Sequence, residues 1–124
     1  MKILDTSDVD GIHDAILLQS GGLPGKSMER PIDSVLHRVF NHVLYGNKSD
    51  ISHVAALYAY SIAVGHPYMD GNKRTAMTVM LVFLQLNKKR FNASDFELVD
   101  KMISIADKKM NLDEFSKWVK HHVQ

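Results

Sequence analysis

Hydrophobic residues recur along this chain at the three- and four-residue spacing of helices, and this pattern predicts about six of them. The first is expected to begin at Ser7, paired with Asp10 in a capping box, and to end at Gly21. The second runs from Pro31 to Leu44. The others are predicted from Ser49 or Asp50 to just before Pro67, from about Asn72 to Asn87, over 95–109 and over 112–122.

The fourth predicted helix is apolar nearly all round from Met77 onward, which is typical of a helix surrounded by others. No segment shows sustained strand alternation, although Lys88 to Asn92 is expected to form a short extended piece. The sequence therefore predicts an all-α fold, a compact bundle of about six helices around a buried central helix, in a single domain over residues 1–124. The last two helices are predicted to begin with capping boxes, at Ser94 with Glu97 and at Asn111 with Glu114.

Composition narrows the functional classes. The chain of 124 residues carries a net charge of +1. It therefore lacks the excess of positive charge that is typical of proteins that bind nucleic acid or an anionic membrane. It contains no cysteine, which excludes disulfides, thiolate zinc sites and cysteine nucleophiles. No apolar run approaches the roughly 20 residues that cross a bilayer, and no signal peptide is evident, so a cytoplasmic protein is expected.

The stretch from His66 to Thr75 concentrates polar and charged side chains where one predicted helix ends and the next begins. The first backbone N–H groups of a helix lack internal partners, and the helix dipole places roughly half a positive charge there. Gly71 permits a close approach of the backbone. The next three residues, Asn72, Lys73 and Arg74, add donors and two positive charges. Together they predict an anion site suited to phosphate.

An acid and a histidine stand beside this predicted phosphate site. Asp70 is unfavourable next to a bare anion, but it suits Mg²⁺, which usually takes one or two carboxylates and completes its shell with waters and nucleotide phosphates. His66 can accept the proton of an attacking hydroxyl. Alone, His66 is more simply a helix-end histidine, and Asp70-Gly71 an ordinary turn. The combination indicates transfer of a phosphorus-containing group.

These residues resemble the core motif of the Fic/Doc family, His-Pro-Phe-x-Asp/Glu-Gly-Asn-x-Arg. His66 to Arg74 match it, with Tyr68 in place of phenylalanine. Ile12-His13-Asp14 is similar to the Doc (death-on-curing) toxin branch, and so is a glycine-rich loop that we call the flap. The resemblance covers most of the chain and implies a compact all-α fold. The flap consists of Gly21, Gly22, Leu23, Pro24 and Gly25.

Two departures from the wider family bear on the reaction. Fic enzymes that transfer AMP have Gly-Asn-Gly-Arg-x-x-Arg, whereas here Lys73 replaces the second glycine and Met77 the second arginine. Lys73 should crowd the groove for the nucleotide phosphates, and Met77 removes a guanidinium that would grip them. Both changes are those of Doc-type toxins. The resemblance thus implies a kinase that binds ATP the opposite way round, delivers its γ-phosphoryl group to a threonine of elongation factor Tu and arrests translation.

The resemblance also implies a role for each matched residue. His66 is the general base, Asp70 coordinates Mg²⁺, and the phosphates of ATP are held by Gly71, Asn72, Lys73 and Arg74, the last two also stabilising the transferring group. The flap resembles the segment that aligns the target, although its glycines alone are equally typical of a simple helix end. His13 is expected to be a buried, hydrogen-bonded histidine.

The sequence also bears on a protein partner and leaves two other functions open. Many Fic proteins inhibit themselves with a Ser/Thr-x-x-x-Glu-Gly/Asn helix, and no such segment occurs in this sequence. The resemblance therefore implies a separate antitoxin of a type II toxin–antitoxin module, whose C-terminal helix lies in a groove of the toxin. An AMP transferase that acts on a protein hydroxyl and a catalytically silent Fic-fold binding module remain open. Retention of His66 and Asp70 argues against the silent module.

Overall fold

The computed structural model describes residues 1–46 and 50–124, and within these ranges all regular secondary structure is helical. Extended pairing there is limited to two isolated antiparallel bridges, between Lys26 and Tyr68 and between Phe91 and Val123. The all-α prediction is confirmed. The helices are α1 (Thr6–Ser20), α2 (Ile32–Val35), α3 (His37–Tyr45), α4 (Ile51–Gly65), α5 (Asn72–Leu86), α6 (Asp95–Ala106) and α7 (Leu112–His122).

The buried central helix is α4, and the prediction that the 72–87 segment takes this place is wrong. Between Val54 and Ala63, every residue of α4 except Tyr60 is buried, and α4 packs against α3, α5, α6 and α7. In α5, by contrast, Met77 and Leu81 stay partly exposed. The physical reason is side-chain size, because small residues let neighbouring helices approach from several sides. The fully buried alanines of α4 are Ala55, Ala56, Ala59 and Ala63.

The predicted second helix is two helices, α2 and α3. The regular helix is interrupted by a turn at Leu36, where φ of −88° and ψ of 0° remain in the right-handed helical region. Leu36 is fully buried, and its N–H still bonds to the Ile32 carbonyl over 2.9 Å. The helical spacing of the hydrophobic residues continues across Leu36. For this reason the sequence pattern does not predict the break.

The start of α1 also differs from the prediction. Its N-cap is Asp5, which forms a capping box with Asp8, and the predicted box of Ser7 with Asp10 is wrong. Asp10 is engaged elsewhere, since its carboxylate binds the Tyr68 hydroxyl and the Lys26 ammonium. The C-terminal end of α1 at Gly21 is as predicted.

The remaining boundaries follow the predictions closely. Asp50 caps α4, whereas Ser49, the other predicted start, lies outside the described residues. Both predicted capping boxes of α6 and α7 are present, but α6 ends at Ala106 because Lys108 adopts a left-handed conformation. The extended piece after α5 is confirmed by the bridge at Phe91. Within the described ranges, no helix has the length and apolarity needed to span a bilayer.

Candidate active site

A six-residue connection from α4 to α5 shapes the site. His66 ends α4 with φ 49° and ψ 59°, a left-handed conformation that is uncommon for a residue with a side chain. Gly71, with φ 78°, precedes the first turn of α5. These two turns bring the end of one helix and the start of the next to the same side of the bundle.

A cavity of about 450 Å³ opens at this junction. The predicted base, acid and phosphate-binding residues all line it, although they come from a helix end, a loop and a helix start. The apolar part of the wall comes from the body of α5 and from α6. The lining residues are His66, Met69, Asp70, Gly71, Asn72, Lys73, Arg74, Met77, Val99 and Met102.

The environment of His66 favours its neutral form. Partial burial lowers the pKa of its imidazole, and the positive charges of Lys73 and Arg30 lower it further. Arg30 also donates from Nε to the His66 carbonyl oxygen over 3.3 Å. A neutral imidazole at physiological pH can accept a proton, which is what a general base requires.

The charge of Arg30 provides a test that needs no substrate. Replacing Arg30 with glutamine removes one cation, so the pKa of His66 should rise toward the ordinary histidine value. The imidazole would then become neutral only at higher pH. An NMR titration of the His66 ring measures the shift, and Arg38→Gln on α3 is the matched control. An unchanged or lower His66 pKa in Arg30→Gln would show that this charge does not act on the imidazole.

Asp70 is held as an ionised carboxylate. Its Oδ2 accepts the N–H of Leu23 over 3.1 Å, and its Oδ1 accepts that of Gly71 over 2.9 Å. These two bonds lower the pKa of the carboxyl. The described residues contain no group of three or more acidic or histidine side chains placed to hold a metal. A lone carboxylate fits Mg²⁺, which binds proteins through one or two carboxylates and fills its shell with phosphates and waters.

The start of α5 offers donors to an anion. The first N–H groups of a helix have no carbonyl partner within it, and no side chain caps α5. Lys73 and Arg74 are exposed on this first turn, which we call the cationic tip. The Asn72 amide is already engaged, because it accepts from the Tyr68 N–H over 3.0 Å and donates to the Tyr68 carbonyl over 2.9 Å. The side chain of Asn72 therefore holds the loop at Tyr68. Its backbone N–H, in the first turn of α5, is the group that can donate to a ligand.

The flap is hydrogen-bonded to the loop that precedes α5. Besides the bond from Leu23 to Asp70, the Met69 N–H donates to the Gly25 carbonyl over 3.0 Å. Just beyond the flap, the Ser27 N–H donates to the Pro67 carbonyl over 2.8 Å. All five flap residues are exposed. The segment is thus more than a helix end, since it lies along the loop that bears Asp70.

Gly22 is the flap position at which a side chain fits worst. Its φ is +125°, and an added Cβ would lie 2.9 Å from Leu17 Cδ2 and 3.0 Å from Asp70 Oδ2. Gly22→Ala should therefore lower the free energy of unfolding by about 1–3 kcal/mol in urea denaturation. The control is Gly11→Ala, within α1, where no atom lies within 4 Å of the new Cβ and a gain of about 0.5–1 kcal/mol is expected. Equal stabilities for the two variants would contradict the prediction.

Several residues near the site escaped prediction from the sequence. Arg30, Asp10 and Lys26 contact the site loop or the flap, but single charged residues in a loop or on a helix face carry no motif. The prediction for His13 is confirmed. It is 2% exposed, and its Nε2 donates to the Asp70 carbonyl over 2.8 Å.

Comparison with known proteins agrees with this geometry. The sequence profile of a family described as the Fic/DOC family matches residues 3–84. The chain is also similar to a protein kinase, Doc, of Escherichia phage P1, with 36% identity over 87 residues, which cover 70% of this chain and 69% of the phage protein. The profile match spans helix α1, the flap and the whole motif, and the similarity to the phage kinase extends over more than two thirds of this chain. The chain therefore belongs to the Fic/Doc family, in its Doc branch.

Proposed function

We propose that this chain is a Doc-like toxin that transfers the γ-phosphoryl group of ATP to a threonine or serine hydroxyl of a translation factor. One observation carries the proposal: a neutral imidazole, an ionised carboxylate and the cationic tip converge on one cavity. Elongation factor Tu is the target that we propose, and the result would be an arrest of translation. The similarity to the phage kinase supports the reaction class.

The residues of the cavity suit each part of this reaction. His66 accepts the proton of the target hydroxyl, whose oxygen forms a bond to the γ-phosphorus as the bond from that phosphorus to the leaving ADP oxygen breaks. Lys73, Arg74 and the N–H groups of the cationic tip stabilise the negative charge on the transferring group. Asp70 would hold Mg²⁺, which when bound neutralises charge on the phosphate oxygens.

The distribution of charge in the cavity favours transfer of the γ-phosphoryl group over transfer of AMP. The positive side chains of the lining, Lys73 and Arg74, lie on the cationic tip of α5. Met77, one turn further along α5, and Val99 and Met102 of α6 are apolar. One phosphate can be neutralised at the tip, but beyond Met77 the described residues that line the cavity offer a triphosphate no positive side chain. This arrangement fits the terminal phosphate of ATP at the tip.

Labelled nucleotide separates the two reactions. The protein is incubated with a bacterial translation fraction and ATP labelled at either the α or the γ phosphorus. We expect label in a protein band only from γ-labelled ATP. Label retained only from the α position would establish AMP transfer and overturn the kinase proposal.

A toxin of this kind requires control by a partner. We propose that it acts in the cytoplasm with a separate antitoxin, whose C-terminal helix lies in a groove of the toxin. Expression of the chain alone is expected to stop growth, and coexpression of the protein encoded beside it to restore growth. Persistent arrest despite coexpression would remove that neighbour as the antitoxin.

A further inference from the structure

The hydroxyl of Tyr68 makes a hydrogen bond at a buried position. Tyr68 is 3% exposed, and its hydroxyl donates to Asp10 Oδ1 over 2.8 Å. Burial and the neighbouring carboxylate raise the pKa of this hydroxyl, so it stays protonated and remains a donor. A hydrogen bond from a buried hydroxyl to a carboxylate is stronger than one between neutral groups.

The same carboxylate contacts Lys26, the residue that follows the flap. Asp10 Oδ2 lies 3.0 Å from Lys26 Nζ. The backbone of Lys26 in turn faces that of Tyr68 in an antiparallel bridge. Each of Tyr68, Asp10 and Lys26 thus contacts the other two, and together they join the site loop, α1 and the residue that follows the flap.

The ring of Tyr68 is also linked to the acid of the site. It stacks on the His13 ring with centroids 3.7 Å apart and planes 7° from parallel. His13 Nε2 binds the carbonyl of Asp70, and Asp70 Oδ2 binds the N–H of Leu23 in the flap. The Tyr68 ring is therefore linked to the middle of the flap through His13 and Asp70, and its hydroxyl is linked through Asp10 to the residue that follows the flap.

We propose that Tyr68, Asp10 and Lys26 form a tether that fixes the flap against the active-site loop, which makes Tyr68 a positioning residue for the protein substrate. The Tyr68 hydroxyl is the central element, because Lys26 is largely exposed and an exposed ion pair alone contributes little. The consequence for the substrate rests on the proposed function, whereas the tether itself does not.

Tyr68→Phe tests the tether, because it removes the hydroxyl and keeps the ring that stacks on His13. Hydrogen–deuterium exchange is followed at the Ser27 and Met69 amides, which bind the carbonyls of Pro67 and Gly25. We expect exchange at both amides to accelerate on the order of tenfold, as for loss of a hydrogen bond to a charged group. Amides of the buried helix α4 should be unchanged. Tyr45→Phe, at a side chain 84% exposed on α3, is the matched control.

Kinetics then measure the effect on the substrate. In Tyr68→Phe, KM for the protein target should rise roughly tenfold, while kcat and KM for ATP stay within about twofold. Unchanged exchange at Ser27 and Met69, or an equal acceleration in α4, would overturn the tether. Accelerated exchange confined to those two amides would support the tether even if no protein is phosphorylated, and only the proposed function would then fail.

Discussion

His66→Ala is expected to lower kcat for phosphoryl transfer by about 10²–10⁴-fold, the usual contribution of a general base. The imidazole lines the cavity, and its surroundings keep it neutral. Since the cationic tip stays intact, the affinity for ATP should change little. Initial rates with γ-labelled ATP and a titration of nucleotide binding measure the two quantities.

The matched control is His121→Ala, at an exposed histidine of α7 far along the chain from the motif. It should retain the rate of the unaltered protein. Growth arrest upon expression gives a second measurement, and His66→Ala should relieve it. An arrest that His66→Ala leaves undiminished would favour a protein that acts by binding alone.

Asp70→Asn should reduce the transfer rate by about 10²–10³-fold, because the loss of a metal-bound negative charge costs several kcal/mol in the transition state. An amide keeps the size of the side chain but binds Mg²⁺ weakly. The Mg²⁺ concentration that gives half the maximal rate should rise as well. Rates measured across a series of Mg²⁺ concentrations separate this effect from simple loss of activity.

Asp70 also accepts the N–H of Leu23, so its replacement loosens the flap. Asp107→Asn, at an exposed residue that ends α6, controls for the change of charge. Hydrogen exchange at the Leu23 amide reports the contribution of the flap. A rate that is independent of Mg²⁺, in the unaltered protein and in Asp70→Asn alike, would contradict the metal-binding role of Asp70.

Local signals in the sequence predict most of the helix boundaries. Asp50, Ser94 and Asn111 each cap a helix through a side chain that bonds to the backbone three residues later, and such contacts are visible as short motifs. The start of α1 offers two pairs with capping-box spacing, Asp5 with Asp8 and Ser7 with Asp10. Asp10 binds the Tyr68 hydroxyl, and Asp8 closes the box with Asp5, so a long-range contact distinguishes the two pairs.

The central place of α4 depends on the size of its side chains as well as on their apolar character. The apolar run after Met77 predicts that α5 is buried, but α4 is apolar over most of its length, and its alanines let other helices surround it. At Leu36 a turn interrupts the regular helix, while the side chain stays in the core. Hydrophobic spacing is the same for a continuous and for a broken helix in such a case.

The candidate site also combines residues that the sequence predicts with residues that it does not. His66, Asp70 and the cationic tip lie within nine consecutive residues, so their common cavity follows from a single helix-to-helix turn. Arg30 and Asp10 reach the site from 36 and 58 positions away along the chain. Contacts over that separation arise from the tertiary fold and leave no local pattern in the sequence.

The mass of the modified target tests the central claim most directly. Purified elongation factor Tu is incubated with ATP, Mg²⁺ and either the unaltered protein or His66→Ala, and its intact mass and modified peptide are determined. We predict the addition of one phosphoryl group to a threonine or serine with the unaltered protein, and an unmodified target with His66→Ala. Addition of an AMP group, or a phosphoryl group that appears equally with His66→Ala, would contradict the account.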